Sequence, residues 1–325
     1  MKTVLRTLRK NRHVNWLVRT LLRKLMMAND RILRKSMLYW HVAGQVTVNV
    51  SDTKIKLYSE GNDALTSKLY YGKRWEPAEF HLFGELTRRS RIIFDVGGNI
   101  GLYSLYAAVL NPNASIYCFE PNPINAERTE QNIRINGATN IKLMRFAVGS
   151  KSGKFVKFFK PRGNYVSDVS SFYKSHTSSF NDFEIDAIDV EVVSLDDFAR
   201  RENVTPDVIK IDIELYEFEA LKGMSTSMTG TRPPHIIAEL FNDEVKRRLN
   251  PDLDREIPAE LSQKIEDLLT DRGYVFYLIS NNGLLRVSNI RSNPESSMYL
   301  LTPRELPRKF YTRSEFSDVA KCLLD

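Results

Sequence analysis

The 325 residues are 42% hydrophobic and 27% charged, enough apolar content to bury a full core, which excludes a disordered or fibrous chain. Two cysteines, Cys118 and Cys322, are too widely spaced for a zinc pair and too few for a disulfide framework, so the expected setting is reducing and cytoplasmic. The net charge of +7 is uneven: residues 1–40 hold 11 Lys/Arg against one acid, Asp30, giving +10, while the rest of the chain nets −3. The basicity belongs to an arm rather than to the body.

Within that arm Val14, Leu17, Val18, Leu21, Leu22 and Leu25 recur at helical spacing, with Arg12, Arg19 and Arg23 elsewhere on the wheel, which predicts a basic amphipathic helix. The apolar run is too short and too charged to span a bilayer, and no cleavage site follows it. Two roles stay open for residues 1–35. The helix packs on its own domain or on a second copy in a homodimer, or it makes a peripheral contact with an anionic membrane or another polyanion. Gln45–Val50 and Lys54–Tyr58 around Ser51-Asp52-Thr53 read as a β-hairpin.

From Ile92 onward, strands alternate with helices. The expected strands are Ile92–Val96, Ser115–Phe119, Ile141–Phe146, Val208–Ile213, His235–Leu240, Tyr274–Ile279 and Ser297–Leu301. The expected helices lie over 102–110, 124–135, 217–222 and 259–271, with two further extended stretches, 154–159 and 188–193, flanking a polar loop. This alternation predicts an α/β, Rossmann-like fold: a seven-stranded, mostly parallel sheet with helices on both faces, preceded by the basic helix and the hairpin. The corresponding divisions are an arm over 1–40, a hairpin and lead-in over 41–90, the main domain over 91–305 and a tail over 306–325.

The strongest local signal is Asp95-Val96-Gly97-Gly98-Asn99-Ile100-Gly101, a buried strand ending in a glycine-rich turn that opens a helix. Glycines let the backbone turn tightly and approach a ligand, and the helix N-terminus offers free N–H groups to an anion. Glu120 ends the next strand, 23 residues beyond Gly97, where a carboxylate can accept from both hydroxyls of a ribose. A nucleoside cofactor follows. The turn does not spell G-x-G-x-x-G, and Asp95 facing a pyrophosphate would be unfavourable, whereas an acid can reach an ammonium group. S-adenosylmethionine (SAM) is therefore preferred over NAD.

Asp95–Gly101, Phe119-Glu120-Pro121-Asn122-Pro123, Ala147-Val148-Gly149, Ser194-Leu195-Asp196-Asp197-Phe198 and Ile209-Lys210-Ile211-Asp212-Ile213-Glu214 occur in the order seen in FkbM-family methyltransferases, and Trp75-Glu76-Pro77 resembles that family's lead-in. The resemblance covers about residues 70–240. It implies a class I SAM-dependent methyltransferase acting on an oxygen of a sugar, glycolipid or other small-molecule acceptor. It places Asp95, Gly97, Asn99 and Gly101 at the methionine end, Glu120 by the ribose, and Ala147 and Val148 at the adenine edge, with Gly98 and Pro121 also counted among the cofactor-binding residues. The family commonly has Glu-Gly where this chain has Glu214-Leu215, so a side chain is expected to narrow the acceptor pocket.

Ligands of open α/β sheets sit beyond the carboxyl ends of the strands, which brings Asp212, Glu214 and Glu239 to the acceptor as candidate catalytic carboxylates. The competing role is capping and ion pairing with Lys210 or Lys222. A hydroxyl has a pKa near that of water, about 15.7, so a carboxylate takes its proton only as transfer proceeds. The three acids offer hard oxygen ligands, but nothing in their spacing demands a metal. His235 begins its strand at the end away from the cofactor and reads as structural. The polar stretch Pro161-Arg162-Gly163-Asn164 through Ser178-Ser179-Phe180-Asn181 is either an acceptor wall or lid, or disordered. A nucleic-acid methyltransferase is disfavoured, because the body is acidic and the fourth strand carries no Asn-Pro-Pro-Tyr-like motif. A catalytically silent adaptor is disfavoured by the intact glycines and Glu120.

Overall fold

The structure is a computed structural model, which describes residues 8–28, 41–61, 63–72, 76–163, 166–167, 169–179, 184–293, 297–310 and 316–324. Trp75, Asn164, Phe180, Asn181 and residues 1–7 and 29–40 of the basic arm lie outside them.

Ahead of the main sheet come helix α1 (Arg12–Ala28), the antiparallel hairpin β1 (Ala43–Val50) and β2 (Thr53–Glu60), and helices α2 (Ala64–Tyr71) and α3 (Pro77–Thr87). The core then alternates β3 (Ile92–Val96), α4 (Leu102–Leu110), β4 (Ser115–Phe119), α5 (Pro123–Asn136) and β5 (Ile141–Met144). A side layer follows: β6 (Ala147–Val148), β7 (Lys154–Pro161), the short α6 (Lys174–Ser178) and β8 (Ile185–Val193). Next come α7 (Leu195–Glu202), β9 (Val208–Ile211), α8 (Glu217–Lys222), α9 (Ser225–Thr229), β10 (His235–Leu240), α10 (Asp243–Leu249), α11 (Leu253–Glu256) and α12 (Leu261–Thr270). The chain closes with β11 (Val275–Ser280), β12 (Gly283–Val287), β13 (Ser297–Thr302) and α13 (Phe316–Leu324).

The main sheet runs β12-β11-β13-β10-β9-β3-β4-β5, with β10, β9, β3, β4 and β5 mutually parallel and β13 antiparallel to both its neighbours. The seven expected strands are all present, and β12 adds an eighth, folded back on β11 around Asn281-Asn282-Gly283. Strands 154–159 and 188–193 lie outside this sheet; as β7 and β8 they pair antiparallel, with β6 completing a separate three-stranded layer.

Alternation along the central strands feeds two cores. Ile93, Ile116, Val208 and Ile237 face one side, with Phe83 and Leu86 of α3 and Leu105 of α4. Phe94, Tyr117, Ile209 and Ile236 face the other, with Phe198 of α7 and Leu221 of α8. The first core also takes Ile55 and Leu57 of the hairpin and Val319 and Leu323 of α13, so hairpin and C-terminal helix share one hydrophobic cluster with the sheet. Asn132 and Asn136, one turn apart on α5, bond to the exposed edge of β2: Asn132 accepts from Tyr58 N at 2.8 Å, and Asn136 bonds both N and O of Lys56. These side chains satisfy edge groups that would otherwise invite another strand.

Helix α1 meets the body through Asn15, Val18 and Arg19. Asn15 is buried and donates to the carbonyls of Arg9 and Ala43, Val18 packs on the first core, and the Arg19 guanidinium sits 4.9 Å over the Tyr70 ring. Trp16, Leu17 and Leu21 project outward, at 62%, 49% and 70% exposure. Of the apolar stripe read from the sequence, Val18 thus goes to the core and Leu17 and Leu21 to the surface; the side chains of Leu22 and Leu25 lie outside the described residues.

Candidate active site

The chain runs outward from β3 through β4 to β5 and returns on the opposite side of β3 as β9, which opens a crevice at the carboxyl ends of β3 and β9. A cavity of about 620 Å³ occupies it. Of the sequence-predicted residues, Gly97, Gly98, Asn99, Glu120, Pro121, Ala147, Val148, Asp212, Glu214 and Glu239 line this one cavity; Asp95 and Gly101 do not.

The floor is the glycine turn. The N–H groups of Gly97 and Gly98 both donate to Phe119 O, at 3.0 and 2.9 Å, clamping the turn to β4. Gly97 has φ +84°, and a Cβ there would stand 1.9 Å from Asp212 O. At Gly98 a Cβ would stand 2.2 Å from the Cys118 sulfur. These glycines permit close packing of the tight turn against its neighbouring strands, and both also line the cavity.

Asp95 sits behind this floor, fully buried. Its Oδ2 accepts from the backbone N and the Oγ of Ser104, at 3.0 and 2.6 Å, and so ties β3 to the first turn of α4. Burial raises its pKa, opposed by the nearby Lys210 ammonium. Gly101, in the left-handed region, packs against Thr129. Both residues shape the turn from outside the cavity wall, Asp95 from within β3 and Gly101 as the N-cap of α4.

Glu120 fits a ribose. It is 5% exposed, with Oε2 accepting from Asn99 N and Oε1 from Asn122 N, each at 2.8 Å. A carboxylate has about four lone-pair sites, so each oxygen keeps one for a hydroxyl of the diol. Burial raises Glu120 to about 7, with the two backbone N–H groups pulling the other way. Asn99, held at φ +51°, has its side-chain Oδ1 buried and without a partner among the described residues, an acceptor set at the cavity edge beside the helix N-terminus. The donors and acceptors present therefore fit a nucleoside bearing an amino acid: diol acceptors at Glu120, free N–H groups at α4, and an unused acceptor for an ammonium at Asn99.

The opposite wall is acidic. Asp212, Glu214 and Glu239 each bring a carboxylate oxygen within 4.8 Å of the others. Asp212 Oδ2 is paired at 3.0 Å with the ammonium of Lys210, a lysine only 3% exposed on β9 whose cation also lies 4.8 Å over the Tyr103 ring. Glu214 Oε2 lies 3.1 Å from Nε2 of His176, a buried imidazole kept neutral because desolvation lowers it to about 4. The Glu239 carboxylate makes no hydrogen bond to the described residues. Burial, with Asp212 and Glu214 alongside, pushes it well above the ordinary carboxylate range. Beneath them Glu217, 2% exposed, accepts from Ile213 N at 3.0 Å and is raised by burial to about 8.

Glu214 and Leu215 are consecutive non-glycine residues in the left-handed region, at φ 56° and 78°. The Leu215 side chain is 1% exposed in the second core and does not line the cavity, so it does not narrow the acceptor pocket as expected. The glycine usual at this position in the family suits the backbone conformation.

Of the polar loop, Ser167, Val169, Ser170 and Phe172 line the cavity. Asn125 exchanges bonds with Ser167, at 2.8 and 3.1 Å, and Asn122 Nδ2 donates to Ser170 Oγ at 3.3 Å. On the acceptor side Ser171 Oγ donates to Glu214 O at 2.7 Å, and the Phe172 ring stacks on Tyr216 at 3.9 Å. His235 is structural, its ring nitrogens 2.9 Å from Thr302 Oγ1 and 3.2 Å from Leu323 O.

Glu76, Tyr103 and Lys210 are among the cavity residues that the sequence reading did not name as site residues. An acid before a proline reads as an ordinary helix start, and a tyrosine or lysine inside an apolar run reads as core, so no periodicity signal distinguishes them.

A profile described as the methyltransferase FkbM domain matches residues 95–276. Hexuronic acid methyltransferase AglP of Haloferax volcanii is 27% identical over 203 residues, spanning 62% of this chain and 76% of the relative. Methyltransferase 1 of Beauveria bassiana is 27% identical, spanning 41% and 57%. The 2-O-methyltransferase NoeI of Sinorhizobium fredii is 27% identical, spanning 56% and 79%. The family match over residues 95–276, which takes in the glycine turn, Glu120 and the three clustered acids around the cavity at the topological switch point, leads to one conclusion: this chain belongs to the FkbM methyltransferase family and uses SAM as its methyl donor.

Proposed function

We propose that the chain methylates a hydroxyl oxygen of a sugar, glycolipid or related small acceptor. The observation that carries this is the wall facing Glu120: three clustered carboxylates, one of which, Glu239, is mostly buried with its oxygens uncommitted. SAM supplies an electrophilic methyl on a sulfonium, so the protein mainly has to align the acceptor oxygen and receive its proton. Glu239, made more basic by burial and by neighbouring acids, accepts that proton as the new C–O bond forms. Asp212, fixed in place by its 3.0 Å pair with Lys210, orients the hydroxyl as an acceptor. Relatives whose names specify a hexuronic acid and a 2-O position agree with an oxygen acceptor on a sugar. Mass spectrometry of glycan and metabolite pools, incubated with SAM and either active protein or Glu239→Gln, tests it. One added methyl on an oxygen, dependent on Glu239, is expected; methylation confined to nitrogen or to RNA overturns the reading.

The outward face of α1 supports a second part of the reading, a peripheral membrane contact. Trp16, Leu17 and Leu21 stand exposed on a segment of charge +10, the combination that lays a helix in an anionic interface. No helix among the described residues is long and apolar enough to cross a membrane. Full-length protein should co-sediment with phosphatidylglycerol vesicles at low salt and release at high salt, and the Leu17→Glu/Leu21→Glu variant should stay in solution. Failure of the full-length protein to pellet at low salt, with a dimer in sedimentation, assigns the face to a second copy.

A further inference from the structure

Glu76 has no role in the reading above, yet its place is unusual. It precedes Pro77 at the start of α3 with φ 43° and ψ 59°, a left-handed conformation uncommon for a non-glycine residue, and its side chain does not cap the helix. Such strain persists where the surroundings impose it, often at ligand sites. The side chain turns to the cavity instead. Its Oε2 accepts from the Tyr103 hydroxyl at 2.5 Å, and its Oε1 has no hydrogen bond to the described residues.

Tyr103 fixes where this carboxylate stands. It is the second residue of α4, the helix opened by Gly97–Gly101, and its ring is locked by stacking on Phe80 at 4.0 Å and by the Lys210 ammonium. Glu76 is thereby tied through Tyr103 to the first turn of α4, in the same cavity as Asn99, Ile100 and Leu102, and a helix N-terminus offers free N–H groups that attract the carboxylate of an amino acid. An amino acid's ammonium lies two bonds from its carboxylate carbon, so it requires acceptors at the same place. Asp95 is sealed behind the turn and Glu120 is committed to the diol, which leaves Glu76 Oε1 and Asn99 Oδ1 as the uncommitted acceptors among the turn-side residues described above.

The geometry points to Glu76 as the residue that binds the α-ammonium group of the cofactor's methionine moiety, positioned by Tyr103. A carboxylate there also sets the site's charge: it matches the ammonium and repels an analogue that keeps the carboxylate but lacks the amine.

Calorimetry with S-adenosylhomocysteine and with its deaminated analogue, which lacks only the amino group, tests this by binding alone. Wild type should prefer S-adenosylhomocysteine by about tenfold to a hundredfold, as expected for a charge-assisted hydrogen bond. In Glu76→Gln that preference should collapse toward unity, and Tyr103→Phe, which keeps the stacked ring, should reduce it in part. The Tyr103→Phe result stands on its own if Glu76→Gln does not fold. An undiminished preference in Glu76→Gln overturns the proposal, and so does equal weakening of both ligands in folded protein. Failure to bind S-adenosylhomocysteine in wild type would instead overturn the cofactor assignment.

Discussion

Replacing Glu120 by Gln changes one atom's chemistry and almost no volume, yet should damage the cofactor site severely. Both oxygens of Glu120 already accept from backbone N–H groups, Asn99 on one and Asn122 on the other. The amide nitrogen of Gln must replace one of them, and whichever way it turns it sets N–H against N–H. On that side the ribose also loses its acceptor; on the other a charged hydrogen bond becomes neutral. Hydrogen bonds to charged groups contribute about 1.5–3 kcal/mol and neutral ones about 1, so the expected loss is roughly 2–4 kcal/mol. At about 1.4 kcal/mol per tenfold, affinity for S-adenosylhomocysteine should drop between roughly thirtyfold and a thousandfold in calorimetry. The wild type adds a pH signature. The diol needs the ionised carboxylate, and in the free protein burial holds Glu120 near 7. Affinity should therefore be full above pH 7 and fall by up to about tenfold per unit below it, a slope that the Gln variant loses. A loss under threefold, or an unchanged slope, would refute the assignment of Glu120 to the ribose.

Asp212→Asn should lower kcat by about a hundredfold or more while leaving the S-adenosylhomocysteine Kd within a few fold; because Lys210 is then buried with its closest counter-charge gone, thermal melting should also show a loss of roughly 3 kcal/mol. Glu217, near 8 when folded and with an ordinary value of 4.5, holds its proton in the native state longer than in the unfolded one. Its contribution to stability is full below about pH 4.5 and declines as pH rises to 8, by about 1.4 kcal/mol per unit; urea titrations at pH 5.5 and 7.5 should show Glu217→Gln with a slope shallower by about one proton. Leu215→Gly relieves a left-handed leucine by about 1 kcal/mol but empties a buried site at a cost of about 3–5, so chemical denaturation should give a net loss near 2 kcal/mol or more. The proposed proton transfer uses no metal, and saturating chelator should leave turnover unchanged; abolished activity restored by a divalent cation would assign Asp212, Glu214 and Glu239 to metal binding.

Much of the fold was legible because buried parallel strands write themselves as short apolar runs, and turn chemistry punctuates them. Ile92–Val96, Leu102–Leu110 and Ser115–Phe119 fall where the pattern puts them. Less visible were segments whose form is imposed from outside. Strand β12 is half exposed and pairs only with β11, so it lacks an apolar signature. Helices α2 and α3 are buried nearly all round, which erases the amphipathic period. The site followed the same division. Gly97, Glu120 and Asp212 announce themselves by position at strand ends, but the separation of Asp95 from the cavity depends on Ser104 reaching back to it, a tertiary bond that spacing cannot express. Glu76 and Lys210 acquire their roles only when distant segments converge on Tyr103.

The wall residues Ser167, Ser170, Ser171 and Phe172 are stitched to both halves of the crevice, to Asn122 and Asn125 on one bank and to Glu214 and Tyr216 on the other. A span anchored at both abutments cannot swing from one of them without straining the other. With the nucleoside on the Glu120 bank and the acceptor on the Glu214 bank, as proposed, lifting this span to release one ligand would also slacken the backbone that meets the other, so the two ends would share a single mechanical element.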